Sequence, residues 1–83
     1  MRSYQQAAEA GADDAQYRLG LIYSCGQQGV AMDYVMAHMW LNVAAMNGNH
    51  AARELRKEIS GDMSREEIAE AQRLARQWVQ TRH

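Results

Sequence analysis

The chain has 83 residues, with no proline, no phenylalanine and a single cysteine, and nine Lys+Arg against ten Asp+Glu give a net charge of −1. One cysteine excludes an internal disulfide, balanced charge removes the bulk electrostatic argument for nucleic acid or an anionic membrane, and no run approaches the roughly 18 consecutive apolar residues that span a bilayer. A chain of this length makes one domain with roughly 5,000 Å² of folded surface, burying about 63% of what it exposes unfolded, so a thin core is expected.

The amino terminus, Met1 to Gln6, lacks the long apolar segment of a signal peptide. As written, the chain is expected in the cytoplasm, or in the periplasm as part of an exported parent. Apolar residues recur at helical spacing throughout, and the absence of proline leaves every helix uninterrupted. A first helix is predicted from about Ser3 to Ala10, stopping at Gly11. A second starts at Asp13 or Asp14 and runs to Cys25, with Gly26 as its left-handed cap. Asp33 caps a third helix reaching Asn47, closed by Gly48. The fourth covers about His50 to Ser60 and ends at Gly61. Ser64 and Glu67 form a capping box that opens a fifth helix running to about Gln80. The fold class is all-α.

The third helix stands apart. Between Val35 and Met46 only His38 and Asn42 interrupt an apolar run, and a helix apolar nearly all round is buried on more than one side. It is predicted to lie at the centre with a helix on each flank, His38 on its narrow polar strip. The fifth helix has one stripe, Ile68, Ala71, Leu74, Ala75 and Trp78, with Arg65, Glu66, Glu70, Arg73, Arg76 and Gln77 facing water, as suits a helix covering an end.

The chain also repeats itself. Ala7-Ala8-Glu9-Ala10-Gly11 recurs as Ala44-Ala45-Met46-Asn47-Gly48, an offset of 37 residues, and Tyr4 aligns with Leu41 at that offset. A period of this size over helical pairs marks a solenoid, in which each hairpin buries its face on the next. Ala7-Ala8, Gly11, Ala15, Leu19-Gly20, Tyr23, Gly26, Gly29-Val30, Asp33, Ala37, Trp40, Ala44-Ala45 and Gly48, in that order, resemble a Sel-one-like repeat, a short relative of the tetratricopeptide repeat. Ala51-Ala52, Leu55, Met63-Ser64 and Ile68 to Arg76 resemble the ending common in bacterial members. The resemblance implies a right-handed α-α superhelix used for protein–protein contact, often as an adaptor. It divides the chain into a half repeat (1–11), a complete repeat (12–48), and a degenerate repeat with a capping helix (49–83).

The residues support these positions individually. Ala15, Leu19, Gly20, Tyr23, Val30, Ala37, Trp40, Ala44 and Ala45 are the expected packing positions between helices. Gly20 in a helix interior costs on the order of 1 kcal/mol against alanine, which implies close approach by another backbone, with Ala37 on the facing helix as the expected neighbour. Val30 is placed to tuck under the turn before Asp33, and Trp40 is large enough to reach the next helix pair. After Gly48 no second Leu-Gly-x-x-Tyr follows. The fourth helix carries charges instead, which ends the array. The first helix lacks its predecessor, so its face around Tyr4, Ala7 and Ala8 is expected to be uncapped. That face either pairs with a second copy as a homodimer or abuts further repeats of a longer array.

Chemistry finds little support. His38, His50 and His83 share no helix, and Cys25 has no CxxC companion, whereas zinc ligands come in tight local pairs; no metal or other cofactor is expected. Cys25 at a helix C-terminus gets no help from the dipole as an anionic nucleophile. Glu66, Glu67 and Glu70 suit the first turns of a solvated helix rather than a carboxylate pair. Cysteine-rich relatives of the repeat class have been linked to β-lactam chemistry. Their paired cysteines are missing here, so that hydrolase reading stands only as the alternative from the enzyme class. Gly26-Gln27-Gln28-Gly29 is similar to the GxxG loop of KH modules but carries no basic residue. Arg53, Arg56 and Lys57, interleaved with Glu54 and Glu58, read as a salt-bridged surface. Six methionines, three of them (Met36, Met39 and Met46) on the third helix, suit core filler.

A binding surface remains. In tetratricopeptide geometry the first helix of each pair lines the concave side, which selects Asp14, Tyr17, Leu21, Ser24 and Cys25 as partner-binding positions with Tyr17 as anchor. The alternative for Tyr17 and Leu21 is packing against the fourth helix. The expected function is non-enzymatic protein–protein interaction with a protein or peptide partner, and neither nucleic acid nor membrane.

Overall fold

The computed structural model describes residues 2–81. Five helices follow one another: α1 (Arg2–Glu9), α2 (Asp13–Cys25), α3 (Tyr34–Met46), α4 (His50–Ser60) and α5 (Arg65–Gln80). Local chemistry explains most boundaries. Asp33 accepts from the Met36 N–H at 3.1 Å and Asn49 accepts from the Ala52 N–H at 2.8 Å, each starting a helix. Ser64 and Glu67 close a reciprocal capping box, with bonds of 2.8 and 3.1 Å. α2 begins at Asp13, as expected. Its cap is Ala12, with no side-chain bond, and Asp13 and Asp14 sit in the first turn where the helix dipole favours carboxylates.

The repeat is visible in the backbone. At the end of α1, Ala10, Gly11 and Ala12 donate to the Gln6, Ala8 and Ala7 carbonyls, and at the end of α3, Asn47, Gly48 and Asn49 donate to Val43, Ala45 and Ala44. Each bond recurs 37 residues later. Gly11 and Gly48 turn the chain at φ +102° and +91°, a region that L side chains rarely occupy. The two turns are the same object built twice.

α3 is the centre of the molecule. Ala37, His38, Met39, Trp40, Leu41, Val43 and Ala44 are all buried, and α2, α4 and α5 each pack directly on it. Its apolar residues divide between two clusters. Met39, Trp40 and Val43 join Ala8, Ala15, Leu19, Ile22 and Ala75, with Tyr4, Ala7, Tyr23, Val30, Met36, Leu74 and Trp78 packed around them. Ala37, Leu41 and Ala44 join Ala52 and Ile59, with Tyr17, Tyr23, Tyr34, Leu55 and Met63 at the margin. The surface of 5038 Å² and the radius of gyration of 11.4 Å are those of one small body with a thin core.

Three expectations need correction. Gly20 admits Leu41 rather than Ala37: a Cβ on Gly20 would lie 2.5 Å from Leu41 Cγ, and Ala37 belongs to the second cluster. The face of α1 is not bare, since Ala8 is fully buried and Tyr4 and Ala7 pack into the cluster that α5 helps to build. α4 and α5 both lie on α3. Ala45 is half-buried and joins neither cluster. Trp40 does reach another helix, meeting Trp78 of α5 edge-on with ring centroids 5.6 Å apart.

Candidate functional site

The five positions selected on α2 do not form one surface. Tyr17 is half-buried against the second cluster, on the α3–α4 side, so its ring is committed to packing. Leu21 is also half-buried but belongs to neither cluster. Asp14 and Cys25 are exposed. Ser24 is turned to its own helix, its hydroxyl donating to the Leu21 carbonyl at 2.9 Å and lying 3.7 Å from Cys25 Sγ. What remains open is a strip at helical spacing: Asp14, Arg18, Leu21 and Cys25. Arg18 was missed, although its position four residues after Asp14 on the same face marks it.

Beside this strip lies a polar joint that sequence reasoning also missed. Gln16 is fully buried in α2. Its amide donates to the Ala8 carbonyl at 3.0 Å, and its carbonyl oxygen accepts from Asn47 at 3.2 Å. Asn49 donates to Asp13 at 3.0 Å. Side chains of one turn thus grip the other turn, and burial makes each satisfied bond count for more. The signal was present: Gln16 stands three residues before Leu19, on the buried face of α2.

His38 departs furthest from expectation. It is not on a solvated strip but 3% exposed, and its Nδ1 has no hydrogen-bond partner. Burial, and secondarily the Arg56 guanidinium, push its pKa below the usual 6.5 and hold the imidazole neutral. Arg56 in turn donates to Asn42 Oδ1 at 2.5 Å. This replaces the expected salt-bridged surface on α4: among the described residues the single ion pair joins Arg73 and Glu70 on α5. His50 is exposed, and His83 lies outside the described residues. Among the described residues no group of three or more His, Cys, Asp or Glu is placed to hold a metal ion, and no helix is long and apolar enough to cross a membrane.

A separate concavity lies elsewhere. A cleft of about 510 Å³ opens where α1, α3 and α5 end, lined by Glu9, Ala10, Gly11, Val43, Met46, Asn47, Trp78 and Val79. Trp78 also walls a shallower groove of about 320 Å³ that includes Met36, Met39 and Leu74. Residues separated by most of the chain meet here, which no local pattern announces.

Compared with known proteins, the chain matches no family model, no curated protein and no solved structure.

Proposed function

We propose that this chain is a non-enzymatic protein–protein interaction module, a short array of helical hairpins of the Sel-one-like repeat type that acts as an adaptor. The observation that carries the reading is the turn built twice, bond for bond, at an offset of 37 residues. Stacked hairpins of this kind hold one helix of each pair at the surface in a fixed pose and so present side chains without a cavity or a catalytic group. The surface offered is the strip Asp14, Arg18, Leu21 and Cys25, a half-buried aliphatic side chain ringed by an acid and a base. Such an arrangement supplies an apolar contact at the centre and charge selectivity at the rim.

Affinity capture from the source lysate, comparing the native chain with Leu21→Asp and Asp14→Arg, tests the reading. A protein retained by the native chain and reduced roughly tenfold by either variant supports it, the scale expected of a truncated interface centre. Both variants must keep the native helical circular dichroism. Equal retention by all three chains rejects the strip as the docking surface. Tyr17→Ala is unsuitable as a probe, because Tyr17 supports the second cluster.

A further inference from the structure

Helices α1, α3 and α5 all end at the 510 Å³ cleft, and none of the three has a basic residue in its last turn. α4, which ends elsewhere, has Lys57 there, whereas α2, which also ends elsewhere, has none, so it is the meeting of three such ends at one cavity that sets the cleft apart. Each helix C-terminus carries the equivalent of about half a negative charge, compensated in most helices by a nearby cation. Among the described residues, three such ends at one cavity create a negative potential, and Glu9, the one charged residue among the eight that line it, adds a formal charge of the same sign. The remaining wall is apolar or aromatic: Val43, Met46, Val79 and Trp78. Met46 is 59% exposed, so its side chain is open to a ligand in the cleft.

We propose that this cleft binds a small organic ammonium with an apolar body, the head group at Glu9 and the helix ends and the body along Trp78, Val43, Met46 and Val79. The charge pattern of the lining disfavours an anion and favours a cation over a neutral ligand. An aromatic wall adds attraction for a cation near its face. The volume falls within the range of about 300–1,000 Å³ typical of small-ligand sites. This assignment does not depend on the adaptor reading.

Titration of isotope-labelled protein with phenethylammonium, followed by NMR, tests it. Resonances of Glu9 to Gly11, Met46, Asn47, Trp78 and Val79 are expected to shift, and added salt weakens the binding. 2-Phenylethanol, a neutral molecule of similar shape, is expected to bind roughly tenfold more weakly, the combined scale of dipole and cation–π attraction. Phenylacetate is expected not to bind. Glu9→Gln, on an exposed position that leaves the fold intact, lowers ammonium affinity about fivefold. Equal binding of alcohol and ammonium, shifts confined to other parts of the molecule, or unchanged affinity in Glu9→Gln each overturn the assignment. A lysine-rich peptide that displaces the ammonium at lower concentration overturns it too, in favour of a protein's basic side chain.

Discussion

The two sides of α3 are built from different materials. Toward α1, α2 and α5 it presents Met36, Met39, Trp40 and Val43, and the cluster is large, aromatic and free of buried charge. Toward α4 it presents Ala37, Leu41 and Ala44, small enough for Ala52 and Ile59 to approach, and close to that side lie His38, Asn42 and Arg56. Area buried by large side chains holds the first side together. Close approach, with a buried imidazole beside a guanidinium, characterises the second. The first should therefore dominate stability, and the second should respond to pH.

The largest effect is expected from Trp40→Ala, which removes the side chain joining α3 to α5. A loss of about 3–5 kcal/mol is typical for a buried aromatic and would unfold a domain of this size or nearly so. Chemical denaturation should show it against Ile59→Val in the second cluster, for which about 0.5–1.5 kcal/mol is expected. Comparable losses would erase the distinction between the two sides.

Gly20→Ala comes next. The new methyl meets the fully buried Leu41 side chain, and overpacking of about 1–3 kcal/mol exceeds the gain of about 1 kcal/mol in helix propensity. The net change is a destabilisation of about 1 kcal/mol. In a Leu41→Ala background the clash is gone, and Gly20→Ala should become stabilising. A double-mutant cycle that finds the two changes additive would reject the close approach.

His38 sharpens the comparison through pH. Its folded pKa lies below 6.5, so beneath that pH the unfolded chain binds the proton more readily than the native one. Stability is then fully present above pH 6.5 and falls as the pH drops toward the folded value. Proton uptake is opposed by Arg56, and no carboxylate among the described residues forms an ion pair with His38. His38→Leu should flatten the thermal-melt profile between pH 6.5 and 5, apart from changes common to both chains. A native profile already flat there would remove the pH-sensitive side.

Leu21→Ala is expected to have the smallest effect on folding, within about 1 kcal/mol, because Leu21 joins neither cluster. A loss as large as that of a core leucine would place Leu21 in the packing and withdraw it from the proposed docking strip.

The helices themselves were legible because their causes are local. Asp33, Ser64 and Glu67 cap the helices that follow them, and Gly11 and Gly48 turn the chain where left-handed backbone is required. The central place of α3 was legible too, since few polar residues interrupt it. The candidate site was legible only in part. Asp14, Leu21 and Cys25 could be placed on an outward strip from spacing alone. Tyr17 could not be separated from them, because half-burial depends on whether α4 arrives beside it. Gln16 was overlooked because a glutamine in a helix looks solvated until its partners from two other segments are known.

What the sequence by itself determined is the set of five helices, their ends, and the offset at which one turn is built again. These follow from capping, glycine conformation and apolar spacing within a few residues. Only the tertiary structure decided that α5 lies on α3, that Leu41 fills the space left by Gly20, that His38 is enclosed, and that three helix ends share one cleft. Each of those outcomes depends on surfaces brought together from distant parts of the chain. Helical periodicity says that a face is apolar; which other face covers it is settled by shape and volume once all the helices compete for the same core.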